Sequence, residues 1–430
     1  MKSLLDKINT KLNAQEGFFK AVSVLAGGTA FAQILGILTL PILTRLYTPQ
    51  EFSVFAIYTA LLGTLAVISC LRFEIAIPIP KNDKTAINLL ILCLLSNIFL
   101  TVILIFCIIL FKETIGNIIN NKDFIKYIWL VPVGFFLAGL YNTFQFWYTR
   151  KKKFKDIAKT RVFQSISSST VQVLMGILGG GVLGLIIGQI VNYSSGLLKL
   201  IKGFNKEKNI TINNISLKNI KLDFEKYDKF PKYSTLEALA HSSSMQLPLV
   251  IIGIFFIGPE TGYIFLAMKV MTIPMSLIGN AIAQVYLANA PEHYNNRKLF
   301  KYSIEIVKKI LKISWLPVFL MGIGSYYLFE TIFGEQWAAA GEIAIFLVPW
   351  ILMQLLSSPI AMALHVIGKQ KIAMLLHFFG FVIRVLGLIT IGFTISNYMI
   401  EYFLLSGFVF YLIYLVFILS VVYRDERELI

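Results

Sequence analysis

Long apolar segments alternate with short polar gaps along the whole of this chain. Twelve of the segments reach the roughly 20 residues that an α-helix needs to cross a bilayer. Their predicted bounds are 21–44, 52–72, 86–110, 127–148, 158–178, 182–202, 233–256, 262–287, 306–333, 340–362, 371–396 and 398–422. Because lipid offers the backbone no hydrogen bonds, each segment is expected to be helical. The pattern predicts an all-α integral membrane protein with twelve transmembrane helices.

Basic residues mark one side of the predicted membrane. They cluster in every second gap, at 150–155, 206–232 and 297–309, whereas the alternate gaps contain only Arg45, Lys112, Lys122 and Lys126. Lysine and arginine favour cytoplasmic loops. Both termini and the 203–232 loop are therefore expected in the cytoplasm, with the chain crossing the bacterial inner (plasma) membrane many times.

Composition narrows the class of protein further. The chain is 57% hydrophobic and 14% charged, where a soluble domain carries about 25% charged residues, and its mean hydropathy is +0.74. The net charge of +16 lies mostly in the predicted inner loops, so it indicates contact with anionic membrane lipids rather than nucleic acid. Three cysteines lie in apolar segments without metal-site spacing, and no nucleotide loop or nucleophile–base pair is present. The sequence predicts no enzyme, no metal and no cofactor.

The polar stretch 206–231 is expected to be a cytoplasmic linker between two halves, 1–205 and 232–430, of six spans each. Leu217, Ile220, Phe224 and Tyr227 recur at helical spacing, which predicts a surface helix within the linker. An internal repeat supports the two halves, because Pro49 to Phe55 and Pro259 to Phe265 share one spacing at the start of a span. The alternative is that prolines are simply common at helix starts.

Two basic residues, Lys269 and Arg384, lie inside predicted spans. A central arginine or lysine costs about 2.5–3.5 kcal/mol on insertion scales, and such residues usually face a partner or a water-filled substrate path. Lys269 has the alternative of extending its side chain to the outer surface. Arg384 is too deep for that, and the spans offer almost no acid for a structural ion pair.

Two further sets of residues are candidates for roles in the transport cycle, one in proton coupling and the other in helix bending. Glu237 and His241 lie one helical turn apart and could couple transport to protons, or could only stabilise the end of their helix. The prolines Pro41, Pro248 and Pro274 each remove a backbone hydrogen bond within a span. We expect these three prolines to act as hinges.

Several motifs carry a resemblance to a known family. The segments at 32–33 with 43–52 (LTRLYTPQEF), 72–78 (RFEIAIP), 230–234 (FPKYS) with 246–248 (QLP), and 278–285 occur in the order seen in that family. Together they resemble the polysaccharide, or O-antigen, flippases of the multidrug/oligosaccharidyl-lipid/polysaccharide exporter superfamily. The resemblance covers most of the chain.

The resemblance implies two six-helix bundles around a central cavity and transport by alternating access. It implies that undecaprenyl-pyrophosphate-linked oligosaccharide moves from the cytoplasmic to the periplasmic leaflet, for lipopolysaccharide biosynthesis, with polysaccharide polymerase machinery as a possible partner. A pyrophosphate head group requires positive charge inside an apolar protein. Arg45, Arg72, Lys269 and Arg384 are the substrate-binding candidates.

Two other functions remain open at the level of sequence. A multidrug/cation antiporter of the same superfamily would need acids within the membrane, but Glu74 and Glu237 lie near the predicted inner ends and the middle is basic. A membrane oligosaccharide polymerase would carry a large outer loop, whereas the predicted outer gaps are short. Both comparisons favour a transporter of an anionic substrate.

Overall fold

The computed structural model of the chain consists of helices and connecting turns, with no β-strand among the residues that it describes. It describes the backbone of residues 2–119, 122–206 and 216–428, and the side chains of these residues apart from 2–23, 122, 273–276, 280, 281, 284, 287, 288, 365 and 370. The described α-helices are α1 (Lys2–Leu46), α2 (Pro49–Ala66), α3 (Phe73–Ala76), α4 (Asp83–Ile119), α5 (Lys122–Tyr127), α6 (Leu130–Arg150), α7 (Phe154–Ile177), α8 (Gly181–Ser194), α9 (Leu197–Asn205), α10 (Leu217–Lys226), α11 (Thr235–Phe255), α12 (Glu260–Asn295), α13 (Leu299–Phe333), α14 (Ala338–Ile360), α15 (Ala363–Val366), α16 (Gln370–Phe381), α17 (Gly387–Thr394) and α18 (Met399–Glu428).

The predicted fold class is confirmed. Each predicted span coincides largely with one of these helices or with two that follow each other, although the span 52–72 leaves α2 at Ala66 and ends in turns. Eight helical stretches of the described chain are long and apolar enough to cross a membrane. The helix ends differ from the apolar bounds, since α1 and α4 extend beyond them into polar sequence. Hydropathy reports the part of a helix that lipid covers, whereas backbone hydrogen bonding continues past the membrane surface.

Two predicted spans are interrupted in ways that an apolar pattern does not show. The span 182–202 breaks between α8 and α9 at Gly196, whose φ of 82° is left-handed and favours glycine. A Cβ there would come within 2.8 Å of the Thr160 side chain. The span 371–396 contains a π-helical turn, Val382–Leu386, between α16 and α17. Both interruptions redirect side chains without changing hydropathy.

The chain forms two compact units. Unit 1 comprises Met1–Thr39, Leu65–Phe111 and Tyr127–Leu236, and unit 2 comprises Leu40–Thr64, Lys112–Lys126 and Glu237–Ile430. Helix α1 therefore changes unit between residues 39 and 40, and α2 does so between 64 and 65. The predicted division at 206–231 into two bundles of six spans stays a prediction, and within it residues 207–215 lie outside the described residues.

In unit 1, three predicted inner gaps meet at one end of the helices. Arg150 binds Asp83 through Nε at 3.0 Å and Nη2 at 2.8 Å, and it also donates to backbone carbonyls of the gap after α3. Helix α10 packs on the same end, where Asp223 accepts a 2.7 Å hydrogen bond from Asn88 and Ile220 is buried. The surface helix predicted in the linker is thus confirmed.

In unit 2, too, gaps that are distant in sequence contact one another at each end of the helices. At one end, Asp425 accepts from Tyr294 at 3.0 Å and pairs with Lys369 at 2.7 Å. This hydrogen bond raises the pKa of Lys369 above its ordinary value. At the other end, Trp337 Nε1 donates to the Thr44 carbonyl at 2.9 Å. At each end, therefore, the gaps that meet are ones that the charge pattern places on the same side of the membrane.

Candidate functional site

Arg384 sits on the π-helical turn of the eleventh predicted span and is fully buried, with 0% of its surface exposed. Its guanidinium lies over the Trp350 ring, 4.3 Å from the centroid, and 5.7 Å from the centroid of Phe403. Nη1 donates to Met245 Sδ at 3.2 Å. Single π-helical turns inside α-helices occur frequently at functional sites. This turn aims the guanidinium into unit 2 rather than toward lipid.

Two glycines allow helix α18 to approach this turn closely. A Cβ on Gly387 would overlap the Tyr402 hydroxyl, and one on Gly407 would overlap the Trp350 ring. The Tyr402 hydroxyl donates to the Ile383 carbonyl at 2.8 Å, which satisfies an acceptor within the π-helical turn. Gly407 lets the Trp350 ring lie flat against α18. Gly387 and Gly407 therefore allow the close packing that positions the Trp350 ring under the Arg384 guanidinium.

Among the described residues, no carboxylate neutralises the charge of Arg384. Within the described part of the chain, no acid lies within 4.0 Å of its guanidinium, and Nε and Nη2 have no hydrogen-bond partner. Removing a charge from water costs several kcal/mol, and attraction to aromatic faces returns about 2 kcal/mol. A buried guanidinium with two unused donors is arranged to receive an acceptor from a ligand.

A cavity of about 370 Å³ lies within unit 2, and Arg384 is linked to its wall through Met245 rather than lining it. Its wall includes Tyr411, whose hydroxyl contacts Met245 Sδ at 3.6 Å, the same sulfur that Arg384 binds. The polar residues of the wall are His241, Thr272, Gln354, Ser358, His377, Tyr411 and Tyr414. No carboxylate is among the lining residues in the described chain. The cavity thus offers hydroxyl, amide and imidazole groups, with a positive charge behind one wall.

A histidine pair lies on the cavity wall. His241 Nδ1 and His377 Nδ1 are 3.1 Å apart, and their ring centroids are 4.4 Å apart at an interplanar angle of 67°. For this hydrogen bond, one Nδ1 carries a proton and the other accepts it. The sequence grouped His241 with Glu237 because the two share a helix face. The partner that the structure gives His241 comes from α16 instead, which spacing along one helix could not reveal.

None of the four predicted cations is among the described residues that line the cavity, and the other three lie apart from Arg384. Arg45 is exposed and donates to the Thr331 carbonyl at 3.3 Å. Lys269 places Nζ 5.0 Å from the Phe265 ring centroid. Arg72 belongs to unit 1, where its Nη1 lies 3.6 Å from Glu74. A substrate role for these three residues remains a prediction.

The two copies of the predicted repeat meet within unit 2. The starts of α2 and α12 touch through Ser53, whose hydroxyl donates to the Gly258 carbonyl at 2.8 Å and accepts from the Gly262 amide at 2.9 Å. The rings of Phe55 and Phe265, the last residues of the two copies, pack edge to face with centroids 5.6 Å apart. We call this group the α2–α12 contact. It lies at the end that the charge pattern assigns to the periplasm.

Two of the predicted hinge prolines lie inside continuous helices. Pro41 is within α1, next to the point where that helix changes unit, and Pro248 is within α11. Pro274 lies in the range of α12, but its side chain is outside those described.

Replacing Pro41 or Pro248 with alanine restores a backbone donor and stiffens the helix. We expect both substitutions to reduce export severalfold while the amount of membrane-inserted protein stays constant. The matched control is Pro317→Ala, at an exposed proline inside α13. Normal export by Pro41→Ala and Pro248→Ala would remove the hinge assignment.

The fold is shared with transporters of known structure. The chain superposes on the lipid II flippase MurJ in an inward closed conformation with a TM-score of 0.74, at 14% identity, over 94% of this chain and 89% of that one. An inward-facing multidrug resistance MATE family transporter of the MOP superfamily gives 0.67, at 14% identity, over 94% and 96%. A MOP superfamily transporter from Pyrococcus furiosus, whose binding pocket is described as having reverse polarity, gives 0.55 at 14% identity, over 95% and 96%.

Sequence comparison defines the family. No curated protein sequence matches the chain. The family model described as "Polysaccharide biosynthesis protein" matches residues 42–342, which is most of the chain. The resemblance found from the motifs is thereby confirmed, and the neighbours in structure are flippases and transporters. This multi-span membrane protein has the fold of the MOP superfamily and belongs to the polysaccharide biosynthesis protein family.

Proposed function

We propose that this protein flips undecaprenyl-pyrophosphate-linked oligosaccharide from the cytoplasmic to the periplasmic leaflet of the inner membrane. The observation that carries the proposal is Arg384, a buried cation that has no carboxylate partner among the described residues and that shares Met245 with Tyr411 of the cavity wall. A pyrophosphate supplies the missing negative charge and the missing acceptors. Membership of the polysaccharide biosynthesis family supports a saccharide-bearing substrate.

The chemistry of the cavity favours an anion over an organic cation. A cation antiporter binds its substrate and coupling ion with acids, whereas this wall presents hydroxyl, amide and imidazole groups backed by a guanidinium. Guanidinium binds phosphate through two parallel hydrogen bonds, and Nε and Nη2 of Arg384 are the two donors still unused. The multidrug/cation antiporter is therefore the weaker alternative.

The size of the cavity suggests which part of the substrate it receives. A volume of about 370 Å³ matches a compact head group rather than a whole oligosaccharide with its lipid. The head group would enter sideways from the inner leaflet while the polyprenyl tail stays in the bilayer. The charged diphosphate is the part whose transfer from water costs most.

The proposal is tested by deleting the gene and locating the lipid-linked oligosaccharide. We expect it to accumulate on the cytoplasmic face while surface polysaccharide disappears. Purified protein in liposomes should also move the pyrophosphate-linked lipid between leaflets. If the deletion leaves surface polysaccharide intact and instead sensitises cells to cationic drugs, the antiporter alternative replaces the flippase.

The orientation in the membrane is tested by reporter fusions. Fusions after Gly180 and after Asn397 should be active only with a periplasmic reporter, because both gaps lack the basic residues of cytoplasmic loops. A fusion at the C-terminus should be active only with a cytoplasmic reporter. Any reversal would overturn the placement of both termini in the cytoplasm.

We infer that proton coupling, for which the sequence offered Glu237 and His241, would involve His241 together with His377. Two imidazolium ions at this distance repel, so the pair holds one shared proton far more readily than two protons. Among the groups that face the pair, Arg384 acts on His241 electrostatically, Tyr411 and Tyr414 share the cavity wall with it, and Glu237 lies one helical turn before His241. Binding of an anion beside Arg384 would favour the protonated pair, and its departure would favour proton release.

We expect His377→Asn and His241→Asn to retain the fold and to lose the dependence of transport on pH between about pH 5 and 8. Glu237→Gln distinguishes coupling through Glu237 and His241 from coupling through His241 and His377. Unchanged pH dependence in Glu237→Gln, together with its loss in the histidine variants, assigns coupling to the histidine pair. If all three variants keep the wild-type pH profile, this region only stabilises the helices, and coupling lies elsewhere.

A further inference from the structure

Two thiols and a carboxylate converge inside unit 1, away from the cavity of unit 2. Cys70 lies in the turn after α2, Glu74 in α3 and Cys93 in α4, and the ligand atoms of the three side chains all lie within 4.8 Å of one another. All three residues are buried, with Cys93 fully so. The sequence predicted no metal site, because the two cysteines come from different elements and match no ligand spacing. Folding alone brings them together.

The surroundings of this cluster leave a carboxylate oxygen without a partner. Glu74 is 4% exposed, and its Oε2 has no hydrogen-bond partner among the described residues. Its other oxygen lies 3.6 Å from Nη1 of Arg72. A buried polar atom left unsatisfied costs about 1–3 kcal/mol. Since a carboxylate oxygen of Glu74 lies within 4.8 Å of both sulfur atoms, a bound cation could be shared by all three groups.

We propose that Cys70, Glu74 and Cys93 bind a zinc ion. Two thiolates and a carboxylate carry three negative charges, which the divalent ion and the Arg72 guanidinium together neutralise inside the protein. The thiol protons leave to solvent as the ion binds, which is the usual linkage at thiolate sites. Thiolates select zinc or copper(I), and the carboxylate favours zinc.

The geometry leaves room for a tetrahedral ion. Zinc binds sulfur at about 2.3 Å and carboxylate oxygen at about 2.0–2.2 Å, which small rotations of three side chains already within 4.8 Å achieve. The fourth position falls beside α6, where Thr143 Oγ1 lies 3.3 Å and the Gly139 carbonyl oxygen 3.4 Å from Cys70 Sγ. A water molecule or the Thr143 hydroxyl completes the coordination.

The backbone at the site supports a bound ion. Leu71 and Arg72 have φ values of 48° and 62°, in the left-handed region that side chains other than glycine seldom adopt. This strained turn points both Cys70 and Glu74 toward Cys93. Strain of this kind persists where the surroundings over-determine the conformation. The ion would hold the turn against α4 and would make Arg72 a neighbour of the metal.

The test is the metal content of full-length protein purified in detergent, before and after loading with zinc and dialysis. We expect about one zinc ion per chain in the wild type, with X-ray absorption showing two sulfur neighbours. Cys70→Ser, Cys93→Ser and Glu74→Gln should each lose the bound ion. Cys107→Ser is the matched control, since this third cysteine lies outside the cluster, and it should bind as the wild type does.

The wild type alone can overturn the proposal, whether or not the variants fold. Wild-type protein that holds no zinc after loading, and whose thermal unfolding is unchanged by a chelator, would leave the three side chains as a packing cluster. An intact mass lower by two hydrogens, without zinc, would show a disulfide instead. Zinc that remains bound in both cysteine variants would place the metal elsewhere on the chain.

Discussion

Arg384→Ala is expected to abolish export of surface polysaccharide while the protein still inserts in the membrane. The guanidinium has two unused donors, and a hydrogen bond to a charged group contributes about 1.5–3 kcal/mol. Losing two such bonds to pyrophosphate lowers transport by about a hundredfold or more. Arg384→Lys should restore part of the activity, because lysine keeps the charge but binds phosphate as a point charge.

Replacing Arg384 is expected to keep or raise the stability of the protein, although it lowers export. A buried ionic group replaced by an apolar side chain of similar volume is often neutral or stabilising by about 1–4 kcal/mol. Arg384→Met keeps much of the length of the side chain and removes a charge that no described acid neutralises. Lost contact with the Trp350 face offsets about 2 kcal/mol of that gain. We expect Arg384→Met to unfold at the wild-type temperature or above it.

Export and thermal unfolding measured together separate a substrate role from a structural one. A structural Arg384 predicts that the methionine and alanine variants lose folded protein in proportion to lost export. The matched control is Arg424→Met, at an exposed arginine near the end of α18, which should leave both measurements unchanged. Wild-type export by normally inserted Arg384→Ala protein would refute the assignment of the cavity.

Hydropathy and charge patterns predicted the helical class and the alternation of gaps, because lipid imposes both on any spanning chain. They also singled out Arg384, since a charge at that depth has no purely local explanation, and its role in binding substrate stays a prediction. The patterns did not predict the π-helical turn beneath it, the pairing of His241 with His377, or the meeting of Cys70 with Cys93. Each of these depends on how helices that are distant in sequence pack together.

The division of the chain into units also depends on contacts between distant helices, which the sequence pattern does not predict. A polar linker marks a boundary for a sequence argument, yet α1 and α2 each contribute residues to both units. The assignment of 40–64 to unit 2 follows from contacts such as that between Trp337 and the Thr44 carbonyl. Nothing in residues 40–64 alone identifies those partners.

The two copies of the predicted repeat pack directly against each other in the α2–α12 contact. Helix α12 begins so close to α2 that a Cβ on Gly262 would overlap the Pro49 carbonyl oxygen, which is backbone and cannot rotate away. Glycine is thus required there by the approach of two helices. Under the proposed alternating access, this contact would form in one state and separate in another, and its strength would then shift the balance between the two states.

Gly262→Ala is therefore expected to open the α2–α12 contact and to reduce export about tenfold. Overpacking costs about 1–3 kcal/mol, and 1.4 kcal/mol changes an equilibrium tenfold. Opening is detected by an Ala56→Cys reporter, because Ala56 on α2 is fully buried and should become reactive toward an impermeant maleimide in the Gly262→Ala background. The matched control is Gly27→Ala, at a helical glycine where a Cβ meets nothing within 4 Å. Wild-type export by Gly262→Ala, with the reporter still unreactive, would show that the contact does not govern transport.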